Sequence, residues 1–225
     1  TGGSKNLGRH MAEGFIAAGA KVYISSRKAD ACEATAAELG PNCIPLPMDV
    51  STVDGCKALA AAFAERESKL DILVNNAGAA WGAPFEEFPE SCWDKVMDLN
   101  VKGPFFLTQA LYPLLKAAAT KAHPAKVINI GSIDGIRLNP WETYSYHASK
   151  SAILYLTKRM AARLVQDQIN VTAIAPGAFA SDMNRDARDH GDEVARRVPA
   201  GRVGVDDDMA GAAIDPGTGA PVHDE

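Results

Sequence analysis

The chain lacks the marks of several protein classes. Its four cysteines, Cys32, Cys43, Cys56 and Cys92, show no metal-ligand spacing. They read as reduced, mostly packed thiols, the usage expected of a cytoplasmic protein. No local motif pairs any of them with a histidine, so no Cys nucleophile is indicated. Excess positive charge is also missing. Lys and Arg number 23 against 28 Asp and Glu, for a net charge of −5 and no basic stripe. Neither a nucleic-acid nor a membrane partner is expected from that balance. No apolar run reaches the ~18 residues of a membrane-spanning helix, and no signal peptide is visible. Internal repeats and Pro/Gly/Ser linkers are absent too, so the 225 residues read as one domain, 1–225.

What is present is alternation. A helix is expected over 9–18, with Met11, Phe15 and Ile16 as its apolar stripe and Gly19 as its stop. Strands are expected over 21–25, 44–50, 72–74, 126–130 and 169–174, and long helices over 90–119 and 144–165. Alternating strands and helices make an α/β protein, a parallel sheet covered by helices on both faces. In such sheets ligands bind beyond the carboxyl ends of the strands. The Gly-rich opening, Asp49, Asn76, Ser132 and Pro176 all follow expected strand ends, which points to one shared site.

Within that site, Tyr146-His147-Ala148-Ser149-Lys150 carries the chemistry. Residues four apart stand one above the other on a helix face. A free phenol has a pKa of about 10 and is a poor base at neutral pH. An ammonium beside it favours the phenolate. Lowering that pKa by about three units takes roughly 4 kcal/mol, and such a tyrosine can exchange a proton with a substrate oxygen near neutral pH. Tyr144 is not four before Lys150, and His147, adjacent to Tyr146, points to a different side of the helix. At the front, Thr1-Gly2-Gly3-Ser4-Lys5-Asn6-Leu7-Gly8 opens a helix, where backbone amides and the helix dipole suit a phosphate.

Taken together, that opening, Asn75-Asn76-Ala77-Gly78, Ser132, Tyr146-x-x-x-Lys150 and Pro176-Gly177 resemble the short-chain dehydrogenase/reductase family, from Thr1 to about Ile214. The likeness is nearest to 3-oxoacyl-[acyl-carrier-protein] reductases, including those linked to rhamnolipid precursors. It implies a Rossmann-like, doubly wound parallel sheet. It also implies hydride transfer between a nicotinamide cofactor and a carbonyl or secondary alcohol. By resemblance, Tyr146 is the general acid or base, and Lys150 lowers its pKa and holds the nicotinamide ribose. Ser132 orients the substrate oxygen, and Asn100 holds a water against Lys150. Cofactor contacts are implied for Gly2, Ser4, Lys5, Asn6, Leu7, Gly8, Arg27, Asp49, Val50, Asn76, Ala77, Gly78, Pro176, Gly177 and Ser181, besides Tyr146 and Lys150. No metal is implied.

The match is imperfect in places. Asn6 replaces the middle glycine of the family's turn, and Asn tolerates left-handed backbone better than most residues. Ser26 stands where NAD-preferring members carry an acidic residue, and Arg27 follows it. With Lys5, Arg27 favours NADP(H) over NAD(H). The family's first strand is missing before Thr1, and 215–225 is an atypical polar tail, which together read as a chain shortened or incompletely recorded. Trp81, Ile133, Trp141, Phe179 and Met183 are candidates for an apolar substrate pocket, with 182–197 as a mobile lid. Arg137 and Arg185 are candidate attractors for an acyl carrier. The expected substrate is a small carbonyl or alcohol, with an acyl thioester as one form. Self-association through the helices of 90–119 and 144–165 is expected, as a homodimer or homotetramer. The competing readings are a catalytically silent nucleotide-binding oligomer partner and a sugar-nucleotide epimerase or dehydratase of a related fold, for which the chain is short.

Overall fold

The structure is a computed structural model that describes residues 1–181 and 184–214. Its elements alternate as the pattern predicts. Helix α1 (Asn6–Ala17) leads to β1 (Val22–Ile24), α2 (Ala29–Leu39), β2 (Cys43–Pro45), α3 (Val53–Ala64) and β3 (Ile72–Asn75). Then come α4 (Glu90–Met97), α5 (Gly103–Ala118), β4 (Ala125–Ile130), α6 (Tyr144–Leu164) and β5 (Ile169–Ile174). Short helices α7 (Arg185–Asp189), α8 (Gly191–Ala195) and α9 (Asp206–Ile214) follow. All strand pairs are parallel, and helices cover both faces. One face buries Leu107, Leu115, Val127, Met160 and Ile169 under α3, α5 and α6. The other seats α1 and α9 through Met11, Ile128, Ile130 and Met209.

The structure differs from the sequence pattern in three places. The expected strand over 44–50 is only Cys43–Pro45 long, because Pro45 and Pro47 have no N–H to donate. Single bonds from Leu46 N to Ile24 O and from Met48 N to Ser26 O continue the alignment. The helix expected over 90–119 is interrupted by a five-residue π-helical stretch, Asp98–Lys102. That stretch carries Asn100, and π-bulges in long helices often sit at functional positions. Thirdly, the expected single sheet is two, ordered β1-β2 and β3-β4-β5. Between β1 and β3 lies an apolar cavity of about 450 Å³. Only the first residues span it, with Thr1 N donating to Val74 O at 2.8 Å and Gly3 N to Ser25 O at 3.2 Å. None of Ser132, Tyr146 or Lys150 lines this cavity. The polar tail over 215–225 lies outside the described residues, as do Asp182 and Met183. No described helix is long and apolar enough to cross a membrane.

Candidate active site

The glycine-rich turn is held by the end of β3. Thr1 Oγ1 accepts the Asn76 and Ala77 amides at 3.1 and 3.0 Å, and Asn76 Nδ2 donates to the Thr1 and Gly2 carbonyls at 3.0 and 3.3 Å. The Asn76 side-chain amide is therefore occupied with shaping the turn. Gly2 has a φ of +64° and Asn6 of +45°, so the residue in place of the family's middle glycine does adopt left-handed backbone. A Cβ on Gly8 would meet the Gly2 carbonyl and come within 2.5 Å of Asn76 Nδ2. Only glycine lets α1 start this close to the turn. Lys5, at the N-cap of α1, makes no side-chain cap to the first amides. Ser4 has its carbonyl held by Thr35 Oγ1 at 3.1 Å, and Leu7 packs inward against Met11 and Ile128. Arg27 is exposed just beyond β1, where the Ser25 hydroxyl is buried with no protein partner. An anion-tolerant helix start, a tight glycine turn and an unmet hydroxyl fit a dinucleotide.

Further along the strand ends, Asp49 Oδ1 accepts the Ser51 amide at 3.0 Å, a turn role that leaves its second oxygen available. Val50 is buried. Gly78 brings its backbone beside Asn100 and Lys150, since a Cβ there would stand 3.3 Å from Asn100 Oδ1 and 3.8 Å from Lys150 Nζ. Pro176 O accepts the Ile133 amide at 3.0 Å and so ties the β5 exit to the β4 exit. Gly177 follows it, and Ser181 Oγ accepts the Asn184 amide at 3.0 Å.

Ser132, Tyr146 and Lys150 come together at the β4 exit and the first turns of α6. Ser132 Oγ accepts the Asp134 amide at 3.1 Å. That contact fixes the oxygen and leaves the hydroxyl proton free to donate. Lys150 is buried, with Nζ donating to Ile130 O at 2.8 Å and standing 5.6 Å from the Tyr146 ring centre. Burial pushes its amine down to about 8. The expectation that Lys150 pulls the phenol down is not met in this geometry. Burial pushes the Tyr146 phenol up, the Ser132 hydroxyl offsets part of that, and the Asp134 carboxylate adds to it. At neutral pH, therefore, the phenol carries its proton and the amine is mostly charged.

Asn100 serves this pair indirectly. Its Oδ1 accepts the Ala79 amide at 2.8 Å, and its Nδ2 donates to Ala79 O and to Ser149 Oγ, both at 2.9 Å. Ser149, which sequence reasoning passed over, donates to Tyr146 O at 2.8 Å. The Asn100 side chain is thus filled by the β3 exit and α6. His147 turns away, as its position next to Tyr146 requires, with Nδ1 2.9 Å from Thr143 O.

The expected pocket residues separate. Phe179 packs into the α1–α9 core, and Ile133 is half-buried. Trp141 is 60 % exposed and helps to line an open groove of about 460 Å³ between Gly82–Pro84 and Pro140–Thr143. Trp81 lies under the Lys95 ammonium, 5.7 Å from the ring centre. Met183 and the Arg185 side chain lie outside the described residues, and Arg137 is exposed. Among the described residues no cluster could hold a metal ion.

Comparison with known proteins shows the family and the fold. The profile of a family described as short chain dehydrogenase matches residues 1–192. The rhamnolipids biosynthesis 3-oxoacyl-[acyl-carrier-protein] reductase of Pseudomonas aeruginosa is 43% identical, over 95% of this chain and 86% of its own. A solved structure described as the Pseudomonas aeruginosa RhlG/NADP active-site complex superposes with a TM-score of 0.91 at 43% identity, covering 95% of this chain and 85% of that one. A 3-ketoacyl-(acyl-carrier-protein) reductase from Brucella melitensis, complexed with NADH, superposes at 0.86 with 29% identity, covering 95% and 86%.

Proposed function

The chain belongs to the short-chain dehydrogenase family and is an oxidoreductase; from that premise we propose that it reduces a 3-oxoacyl or similar keto substrate with NADPH. The observation that carries the reading is the meeting of Ser132, Tyr146 and Lys150 beside the glycine turn. Gly2, Ser4, Lys5, Asn6, Leu7 and Gly8 hold the pyrophosphate, with Asn76 keeping their turn in shape. Asp49, Val50, Ala77 and Gly78 border the adenosine and ribose, and Pro176, Gly177 and Ser181 border the nicotinamide. Arg27 and Lys5 give a 2′-phosphate two cations where a carboxylate would repel it. A nicotinamide held there would supply the hydride.

The protein's own residues handle the proton. Ser132, its oxygen fixed by the Asp134 amide, donates to the substrate carbonyl and orients it. Tyr146, kept protonated by burial, passes its proton to the same oxygen as negative charge develops there. Lys150, the cation beside the phenol, stabilises the phenolate that remains. Asn100 keeps α6 and the Ala79 segment in place around them. The NADP-bound state described for the similar Pseudomonas protein supports the cofactor preference. The polar exit at Ser132 and the open groove beside Trp141 suit a carbonyl carrying an apolar chain, delivered as a thioester.

We place the protein in the cytoplasm, in keeping with its four free thiols. It forms a homodimer or homotetramer through α4, α5 and α6, where Tyr155 offers a ring 75 % exposed for a partner subunit to cover. The test is NADPH oxidation with acetoacetyl and longer 3-oxoacyl thioesters, beside an NADH series. Tyr146→Phe should lower turnover by about 10²–10⁴-fold and leave NADPH binding in place. Full activity in that variant would remove Tyr146 from its role. Binding without turnover on any keto substrate would favour a silent nucleotide-binding protein.

A further inference from the structure

Four buried polar side chains take no part in the reaction above, yet they form a continuous chain of hydrogen bonds beneath it. Asn75 Nδ2 donates to Thr108 Oγ1 at 3.2 Å and to Asn129 Oδ1 at 2.9 Å. Asn129 Nδ2 donates to Thr157 Oγ1 at 2.9 Å. Each threonine donates onward to a carbonyl of its own helix, Thr108 to Pro104 O at 2.7 Å and Thr157 to Ile153 O at 2.8 Å. All four side chains are buried, and Asn129 has no exposure at all. The row crosses the fold from α5, through the paired positions Asn75 and Asn129 on β3 and β4, to α6.

Such groups are costly inside a core unless bonded; Asn75 Oδ1 is left without a protein partner, but the bonds that are made permit one arrangement and penalise its neighbours. This one acts on the helix that carries the chemistry. Asn129 and Ile130 are consecutive on β4, and each holds α6 at a separate point. Ile130 O takes Lys150 Nζ, and the Asn129 amide takes Thr157. Thr157 lies two helical turns beyond Lys150, about 10 Å along the axis and on the same face. Ser132 leaves the end of the same strand. A shift of α6 along β4 would therefore break the Asn129–Thr157 bond and carry Tyr146 away from Ser132 together.

We propose that Asn129 and Thr157 are positioning residues, whose hydrogen bond sets how far α6 lies along β4 and so where Tyr146 stands relative to Ser132. The proposal rests on the roles given above to Ser132, Tyr146 and Lys150. The test compares Thr157→Val, nearly the same shape without the hydroxyl, with Thr157→Ser, which restores it. In the NADPH assay with a 3-oxoacyl thioester, Thr157→Val should lose at least about tenfold in kcat while KM for NADPH changes less than about threefold. Thr157→Ser should recover most of the loss. The phenolate absorbance of Tyr146, taken as the difference from Tyr146→Phe, should titrate at a changed pH in Thr157→Val and at the original pH in Thr157→Ser. Unchanged kcat and phenol titration in folded Thr157→Val, or equal losses in Val and Ser variants, would overturn the proposal. Where Thr157→Val does not fold, Thr157→Ala gives the same comparison. Full wild-type-like activity in Tyr146→Phe would instead defeat the catalytic reading beneath it.

Discussion

Replacing Lys150 with Met should change how stability depends on pH, and the structure sets the size of the effect. The amine is buried, and burial lowers its pKa from 10.5 to about 8. At about 1.36 kcal/mol per unit, holding that charge inside the folded chain costs about 3 kcal/mol. Between pH 8 and 10.5 the unfolded chain keeps this proton and the folded one has released it. Stability from this group therefore rises with pH across that window, and the penalty is fully present below pH 8. Lys150→Met removes the penalty, but it leaves Ile130 O without its 2.8 Å donor, a loss of about 1–3 kcal/mol at every pH. Near pH 7 the variant should equal or exceed the parent by about 1 kcal/mol. Near pH 10.5 it should be weaker by about 1–3 kcal/mol. Urea unfolding of both proteins without added nucleotide, at several pH values from 7 to about 10.5, measures the difference directly. Terms common to both proteins cancel in it. A difference that stays flat with pH would mean that the amine is not desolvated as the geometry implies. A variant much weaker at pH 7 than at pH 10.5 would reverse the sign and refute the argument.

Two further outcomes concern the cofactor preference and the glycine turn. Arg27→Ala should weaken NADPH binding by about tenfold or more, the scale of one charged hydrogen bond, and leave NADH nearly unchanged. Fluorescence titration with both nucleotides checks this, and equal losses would remove Arg27 from phosphate recognition. Asn6→Gly should relieve the left-handed backbone at φ +45° and stabilise the protein by a few tenths to about 1 kcal/mol, whereas Asn6→Ala should cost about 1 kcal/mol. Thermal unfolding ranks the three, and an Ala variant as stable as the Gly variant would contradict the strain.

Much of the site was legible because it depends on local spacing. Tyr146 and Lys150 share a face because they lie four apart, and His147 turns to Thr143 because it lies next to Tyr146. Asn6 could be read as a left-handed residue from its type alone. Other details came only from the fold. The side-chain amides of Asn76 and Asn100 are held by the Thr1 and Gly2 carbonyls and by Ala79 with Ser149. Phe179 looked like a pocket residue and packs into the core. Which groups meet across long sequence separations is not written in any short window.

The sequence by itself determined the α/β alternation, the family, the glycine turn and the Tyr146–Lys150 pair, because each rests on periodicity or on residues within one turn or helix. Only the tertiary structure decided the electrostatics and the register. The phenol is pushed up and the amine down because both are buried, and burial belongs to the assembled fold. The π-helical stretch at Asn100 and the Asn129–Thr157 bond depend on partners that the chain brings together only when folded. Spacing alone could not announce them.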